Sequence, residues 1–130
     1  MSGRRAYASA NDDLFMQRRI GINRGNLWAA HALLLETARQ AERATPETDM
    51  TRLAARGMAC KAASVRAALQ VCDDLFEVCG ARATASTYGL DRFWRNARTF
   101  ACHDALDGKD VIVGAIELTG QLPATLLPRL

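Results

Sequence analysis

Met58, Ala62, Val65, Leu69, Cys72, Phe76 and Cys79 are spaced alternately by four and three residues, without a miss, through the middle of this 130-residue chain. Side chains at those intervals share one face of an α-helix. Sustained over three heptads, the pattern demands a long helix with its apolar stripe against other helices. Thr45-Pro46-Glu47-Thr48-Asp49 stands before it. Threonine and aspartate are good N-caps there, and proline is at home in a first turn. Gly80 follows as a C-terminal stop. A helix is therefore expected from about Met50 to Cys79.

A second long pattern precedes it, opened by Asp12 and Asp13, whose charge suits the positive end of a helix. Leu14, Gly21, Gly25, Trp28, Ala32 and Leu35 form its stripe. Each interior glycine costs about 0.8–1 kcal/mol relative to alanine. Their presence implies either close approach of a neighbouring backbone, the favoured reading, or a break into two shorter helices near Gly21–Gly25. Both long segments hold about 30 residues and span roughly 45 Å at helical rise. Their short connector predicts an antiparallel hairpin.

Two shorter helices are expected downstream. One runs from Leu90 to Cys102. The other runs from about Asp107 to Thr119, with Val111, Ile112, Ala115, Ile116 and Leu118 on its apolar side and Gly120 as its stop. Its Val-Ile-Val opening also fits a short strand. Residues 1–11 read as a loosely ordered tail, and 121–130, holding Pro123 and Pro128, as an extended one. The expected architecture is a single all-α domain over residues 1–130, an antiparallel up-down helical bundle. With 49% apolar but only 6% aromatic residues and abundant alanine, its core should consist of close, small contacts.

The net charge of +3 comes from fifteen arginines and two lysines. They are interleaved with acids along the chain, whereas a nucleic-acid footprint would be clustered. No apolar run reaches the 18 residues of a membrane span. Met1-Ser-Gly-Arg-Arg5 lacks the apolar core of a secretory signal, so a cytoplasmic protein is expected. Cys60, Cys72, Cys79 and Cys102 contain no Cys-x-x-Cys pair, and neither histidine joins them at ligand spacing. Free, buried thiols and no metal are expected. His31, set between alanines, implies a packed or partly exposed histidine and no site.

The stretch from Tyr88 to Asp104 carries the chemistry. Wound as a helix, it places Leu90, Phe93, Trp94, Ala97, Phe100 and Ala101 within an arc of roughly 120°, the width of a core-facing stripe. Arg92, Asn96, Thr99 and His103 line up on the opposite side at intervals of four, three and four. A cation, an amide, a hydroxyl and an imidazole in one row suit the wall of a polar pocket. A merely solvated face fits the same pattern.

Asp91-Arg-Phe-Trp-Arg-Asn-Ala-Arg-Thr99, followed by His103-Asp104, resembles the C-terminal signature of the acyl-CoA dehydrogenase superfamily. It is nearest to the two-component flavin-dependent monooxygenases, which typically read D-R-x-W-R-D/N-A-R-T and then H-D-P. The likeness is good from Val78 to about Leu122 and looser before that; Ala105 stands where the family usually has proline. The resemblance implies the C-terminal domain of a flavin-dependent oxidoreductase, in contact with flavin and with other subunits. Its alternatives are an acyl-CoA dehydrogenase proper, or a helical assembly module without chemistry.

In the monooxygenase branch the resemblance places His103 near the flavin ring, where it would deprotonate a phenol or hydrogen-bond the oxygenated flavin. An imidazole with an ordinary pKa near 6.5 works in either protonation state around neutrality. Asp104 falls where many dehydrogenases carry a catalytic glutamate, but it is one methylene shorter; it also fits a helix cap or a salt-bridge partner. The loop with Gly80, Ala81, Arg82, Thr84 and Ser86 corresponds to a family loop that approaches the flavin of a neighbouring subunit. Ala81 replaces a second glycine common there. Arg92, Arg95, Asn96 and Thr99 would form pocket wall and anchoring contacts, or a solvated basic face.

The resemblance covers the bundle without its first long helix, and not the helical and β-domains that precede it in the superfamily. FMN or FAD would therefore meet an incomplete site, and the chain by itself is expected to be inactive. An uncovered apolar face implies a partner: a dimer or tetramer, or the preceding part of the enzyme. A separate flavin reductase is the further partner implied.

Overall fold

The computed structural model describes residues 9–123. The tail expectations for 1–8 and 124–130 lie outside them. After a 3-10 turn at Ala10–Asp12 come α1 (Leu14–Glu42), α2 (Met50–Cys79), α3 (Asp91–His103) and α4 (Leu106–Thr119). Short 3-10 turns at Ala81–Thr84 and Ser86–Tyr88 join α2 to α3. Among the described residues there is no strand, and Val111-Ile112-Val113 belongs to α4. α1 runs through Gly21 and Gly25 unbroken.

The helix ends follow from local chemistry. The Asp13 carboxylate accepts from the N–H groups of Phe15 and Met16, at 2.8 and 3.4 Å, and starts α1. Asp49 accepts from the N–H of Arg52 at 3.0 Å and starts α2. Such caps satisfy donors that have no partner inside the helix. Gly80 and Gly120 terminate α2 and α4 with positive φ.

α2 is the central helix, packed against α1, α3 and α4. Its heptad stripe is real, and Ala62 and Val65 on it are buried. A second stripe was not foreseen. Cys60, Ala67 and Asp74, spaced by sevens, are buried on the other side, and Asp74 binds α1 through Arg19. On the first side, Ala55 meets Ile112 and Ile116 of α4, with Met58 and Val113 beside them. The two isoleucines are the largest fully buried side chains described; most other core residues are alanines.

Three sequence expectations are corrected. The stripe of Leu14, Gly21, Gly25, Trp28, Ala32 and Leu35 faces away from the hairpin, and Trp28 is 62% exposed. The inward side of α1 carries Met16, Arg19, Asn23, Ala30, Leu33 and Thr37 instead. Arg19 at the seam pairs across it with Asp74, whereas the apolar stripe stays uncovered. Second, all four cysteines are free, but only Cys60 is buried; Cys79 and Cys102 are exposed. Cys79 lies at the last turn of α2, beyond its cover, and Cys102 lies beside the wet face of α3. Val111 and Leu118 of α4 likewise face outward, because Ile112 and Ile116, one turn apart, fill the contact with α2.

Candidate functional site

α3 begins after Gly89, whose left-handed backbone (φ 58, ψ 24) turns the chain into the helix. Ala101 is buried and Trp94 and Ala97 are half-buried, which fixes the inward side. Phe93 and Phe100, at the edge of the apolar arc, are 48% and 60% exposed. That edge position sets Phe100 beside the polar row. Asn96, Thr99, Phe100 and His103 together line an open depression of about 420 Å³. Three of the four residues in the expected row therefore meet. Arg92, one turn before Asn96, is outside it, with its guanidinium 4.9 Å from the centre of the Phe93 ring.

The next residue, Asp104, is bound from two helices. Lys61 of α2 places Nζ 2.9 Å from Oδ2, and Lys109 of α4 binds the same oxygen. Hydrogen bonds from Lys109 and then Lys61 lower the carboxyl pKa to about 2. Asp104 is thus an ion-pair partner and does not cap α4, which starts without a side-chain cap. Lys61 also lies 5.1 Å from the centroid of Phe100, within cation–π range. Sequence reasoning missed both lysines. Their available signal was rarity: they are the only lysines in an arginine-rich chain.

The loop after α2 is tightly wound. Gly80 has φ 78 and ψ 174, and Ala83 is buried. Thr84 Oγ1 donates to the Ala81 carbonyl at 2.7 Å, so this hydroxyl is engaged within the loop. Arg82 and Ser86 are exposed. The remaining α3 arginines act locally: Arg95 pairs with Asp91 at 3.0 Å, and Arg98 lies 5.3 Å from the Trp94 ring centre. His31 is exposed on α1, away from these groups. Among the described residues no helix is long and apolar enough to cross a membrane.

Residues 2–108 match the family model described as "Acyl-CoA dehydrogenase, C-terminal domain". The chain belongs to this family. Among curated members, it is 44% identical over 96 residues to dibenzothiophene monooxygenase of Rhodococcus erythropolis, covering 73% of this chain and 22% of the relative. It is 33% identical over 127 residues to the probable FMNH2-dependent monooxygenase SfnC of Pseudomonas putida, covering 93% and 32%. Among solved members, dibenzothiophene monooxygenase TdsC of Paenibacillus sp. A11-2 superposes with a TM-score of 0.83 at 29% identity, covering 94% of this chain and 33% of TdsC. TdsC has also been solved with FMN and indole. The chain thus spans between a fifth and a third of these relatives. The family inferred from the Asp91–Asp104 stretch and the all-α bundle inferred from composition and helical spacing are both present.

Proposed function

We propose that this chain is the flavin-facing C-terminal part of an FMN-dependent monooxygenase that receives reduced flavin from a separate reductase. The observation that carries this reading is the convergence of Asn96, Thr99, Phe100 and His103 on one open depression. An amide, a hydroxyl and an imidazole offer donors and acceptors, and Phe100 adds an apolar ring. That set fits the edge and face of a planar heterocycle bearing carbonyl and N–H groups. FMN is favoured over FAD by the FMN-bound structure of TdsC and by the FMNH2-dependent designation of SfnC.

Bound reduced FMN would supply the electrons that activate dioxygen. His103 would take or return a proton through its imidazole nitrogens, one a donor and the other an acceptor in the neutral ring. Asn96 and Thr99 would orient the flavin edge. At the loop, Arg82 and Ser86 are the exposed side chains available to a phosphate, with Gly80, Ala81 and Thr84 shaping the backbone around it. Asp104 fits dehydrogenase chemistry poorly. A base that removes a substrate proton needs a pKa near its working pH, and two ammonium groups hold this carboxyl at about 2.

The outward stripe of α1 supports a partner: a second copy of the chain, in a dimer or tetramer, or the rest of the polypeptide. The same face supports the second reading, a helical assembly module without chemistry. The discriminating experiment replaces His103 with alanine in the full-length protein and follows oxygenation of dibenzothiophene or indole with reduced FMN. A loss of turnover of at least about a hundredfold, with FMN binding retained, is expected for a general acid–base group. Unchanged turnover would overturn the role of His103.

A further inference from the structure

We propose that Lys61 and Lys109 are positioning residues for His103. By gripping Asp104 from two helices they fix the turn between α3 and α4, and with it the imidazole at the rim of the depression. The proposal deepens, and rests on, the reading of His103 as a functional group.

The turn has few ties of its own. His103 is the last residue of α3, and Asp104 leaves the helix in an extended conformation (φ −151, ψ 112). Ala105 gives α4 no side-chain cap. Among the described residues no loop backbone hydrogen bond spans residues 103–106. The polar anchor is the Asp104 carboxylate, bound to Lys61 at 2.9 Å and also to Lys109. The anchor reaches the rest of the bundle because Lys61 stands in the middle of α2 and Lys109 in the first turns of α4.

The lysines bury this cluster from one side, while the Asp104 side chain is 45% exposed. The side chains of Lys109 and Lys61 are only 10% and 22% exposed. An ammonium so placed is tolerated when a charged partner meets it. Lys61 has a second contact, 5.1 Å from the centre of Phe100, and Phe100 lines the depression with His103. One cation therefore touches both the wall of the depression and the residue that follows the imidazole. Two cations on one carboxylate make the grip divalent: removing one loosens the turn from one helix.

The test is ring-selective NMR of the 130-residue chain with labelled histidine. It contains two histidines, and His31, exposed on α1, is the internal control. The unsubstituted chain should give one set of His103 ring signals. In Lys61→Met and Lys109→Met that set should split, or lose at least half its height, as the turn samples several positions, while His31 is unchanged. Lys61→Arg and Lys109→Arg, which keep the charge, should restore a single set. A purely structural role would broaden both histidines together. That result, or His103 signals identical to those of the unsubstituted chain, overturns the proposal. If the methionine variants lose helical circular dichroism, Asp104→Asn takes their place, with the same expected splitting and the same overturning result. The two readings fail separately. A His103 that ignores the lysines removes the positioning role and leaves the functional one. A His103 that responds to them, in an enzyme whose turnover survives His103→Ala, does the reverse.

Discussion

Arg19 reaches from α1 to place Nη1 2.8 Å from Oδ1 of Asp74 on α2, and this pair is the polar lock of the long hairpin. Asp74 is 7% exposed, and Gln70 donates to its second oxygen at 3.2 Å. Burial pushes the Asp74 carboxyl up, but hydrogen bonds from Gln70, Asn23 and Arg19 outweigh it and hold the group below its ordinary value.

Asp74→Ala should therefore destabilise the chain by about 2–3 kcal/mol. The lost carboxylate leaves the Gln70 amide without its acceptor and Arg19 with Glu77 alone, at 3.2 Å, and breaking a fully buried pair costs about 3–5 kcal/mol. The lower figure applies because the Arg19 side chain is 38% exposed. Urea unfolding followed by circular dichroism measures it; a change below about 0.5 kcal/mol would contradict the lock.

Acid should unfold the chain through the same kind of group. Asp74 and Asp104 both titrate lower in the folded chain than in the unfolded one, Asp104 at about 2 against an ordinary 3.8. As pH falls, the unfolded chain takes up protons first, so acid favours unfolding. The stabilisation from these carboxylates should be complete above about pH 5, decline through pH 4, be mostly lost near pH 2 and be gone by about pH 1. Asp104→Asn should flatten the curve between pH 4 and 2, as read from urea midpoints across that range.

The helices were legible in the sequence because heptad spacing, Asp13, Asp49, Gly80 and Gly120 are local signals. The orientation of α1 was not. Its most regular apolar stripe, through Trp28 and Leu35, turned outward, because Arg19 and Asn23 meet Asp74 across the seam and periodicity cannot rank two competing faces. At the site, the row Asn96, Thr99 and His103 was readable from helical spacing alone. Lys61 and Lys109 were not, since they reach Asp104 from helices 43 residues before it and one turn after it. Only tertiary packing unites them.

The uncovered stripe of α1 should drive self-association of the chain. Trp28 and Leu35 are 62% and 42% exposed. Replacing both with glutamate should abolish concentration-dependent sedimentation. Stability should fall by no more than about 1 kcal/mol, the size of an exposed cation–π contact such as that of Trp28 with Arg24 at 5.0 Å. An unsubstituted chain that sediments as a monomer at all concentrations would count against this.

Thiol reactivity should divide the cysteines in two. Cys79 and Cys102 are exposed and should react rapidly with a disulfide reagent at neutral pH. Cys60 is buried, and burial, then the Asp73 charge, pushes the Cys72 thiol up. The thiolate is the nucleophile, so Cys72 should lag even where reagent reaches it. Two rapid equivalents, rising to four in urea, is the expected count; four rapid equivalents in the folded chain would refute the division.

The sharpest test of the backbone compares two glycine-to-alanine changes with opposite expected signs. Nothing lies within 4 Å of a Cβ built on either Gly57 or Gly80, so a steric clash decides neither case. Gly57 sits in the interior of α2, where alanine is the better helix former and restricts the unfolded chain. Gly57→Ala should raise stability by about 0.4–1 kcal/mol. Gly80 has φ 78 and ψ 174, a region that essentially only glycine populates. Gly80→Ala should cost on the order of 1–3 kcal/mol, or force the loop through Ser86 into another path. Paired thermal melts read both signs at once. An alanine accepted at Gly80 without loss would mean that the chain leaves α2 by a different route from the one that sets Arg82 and Ser86 on the surface.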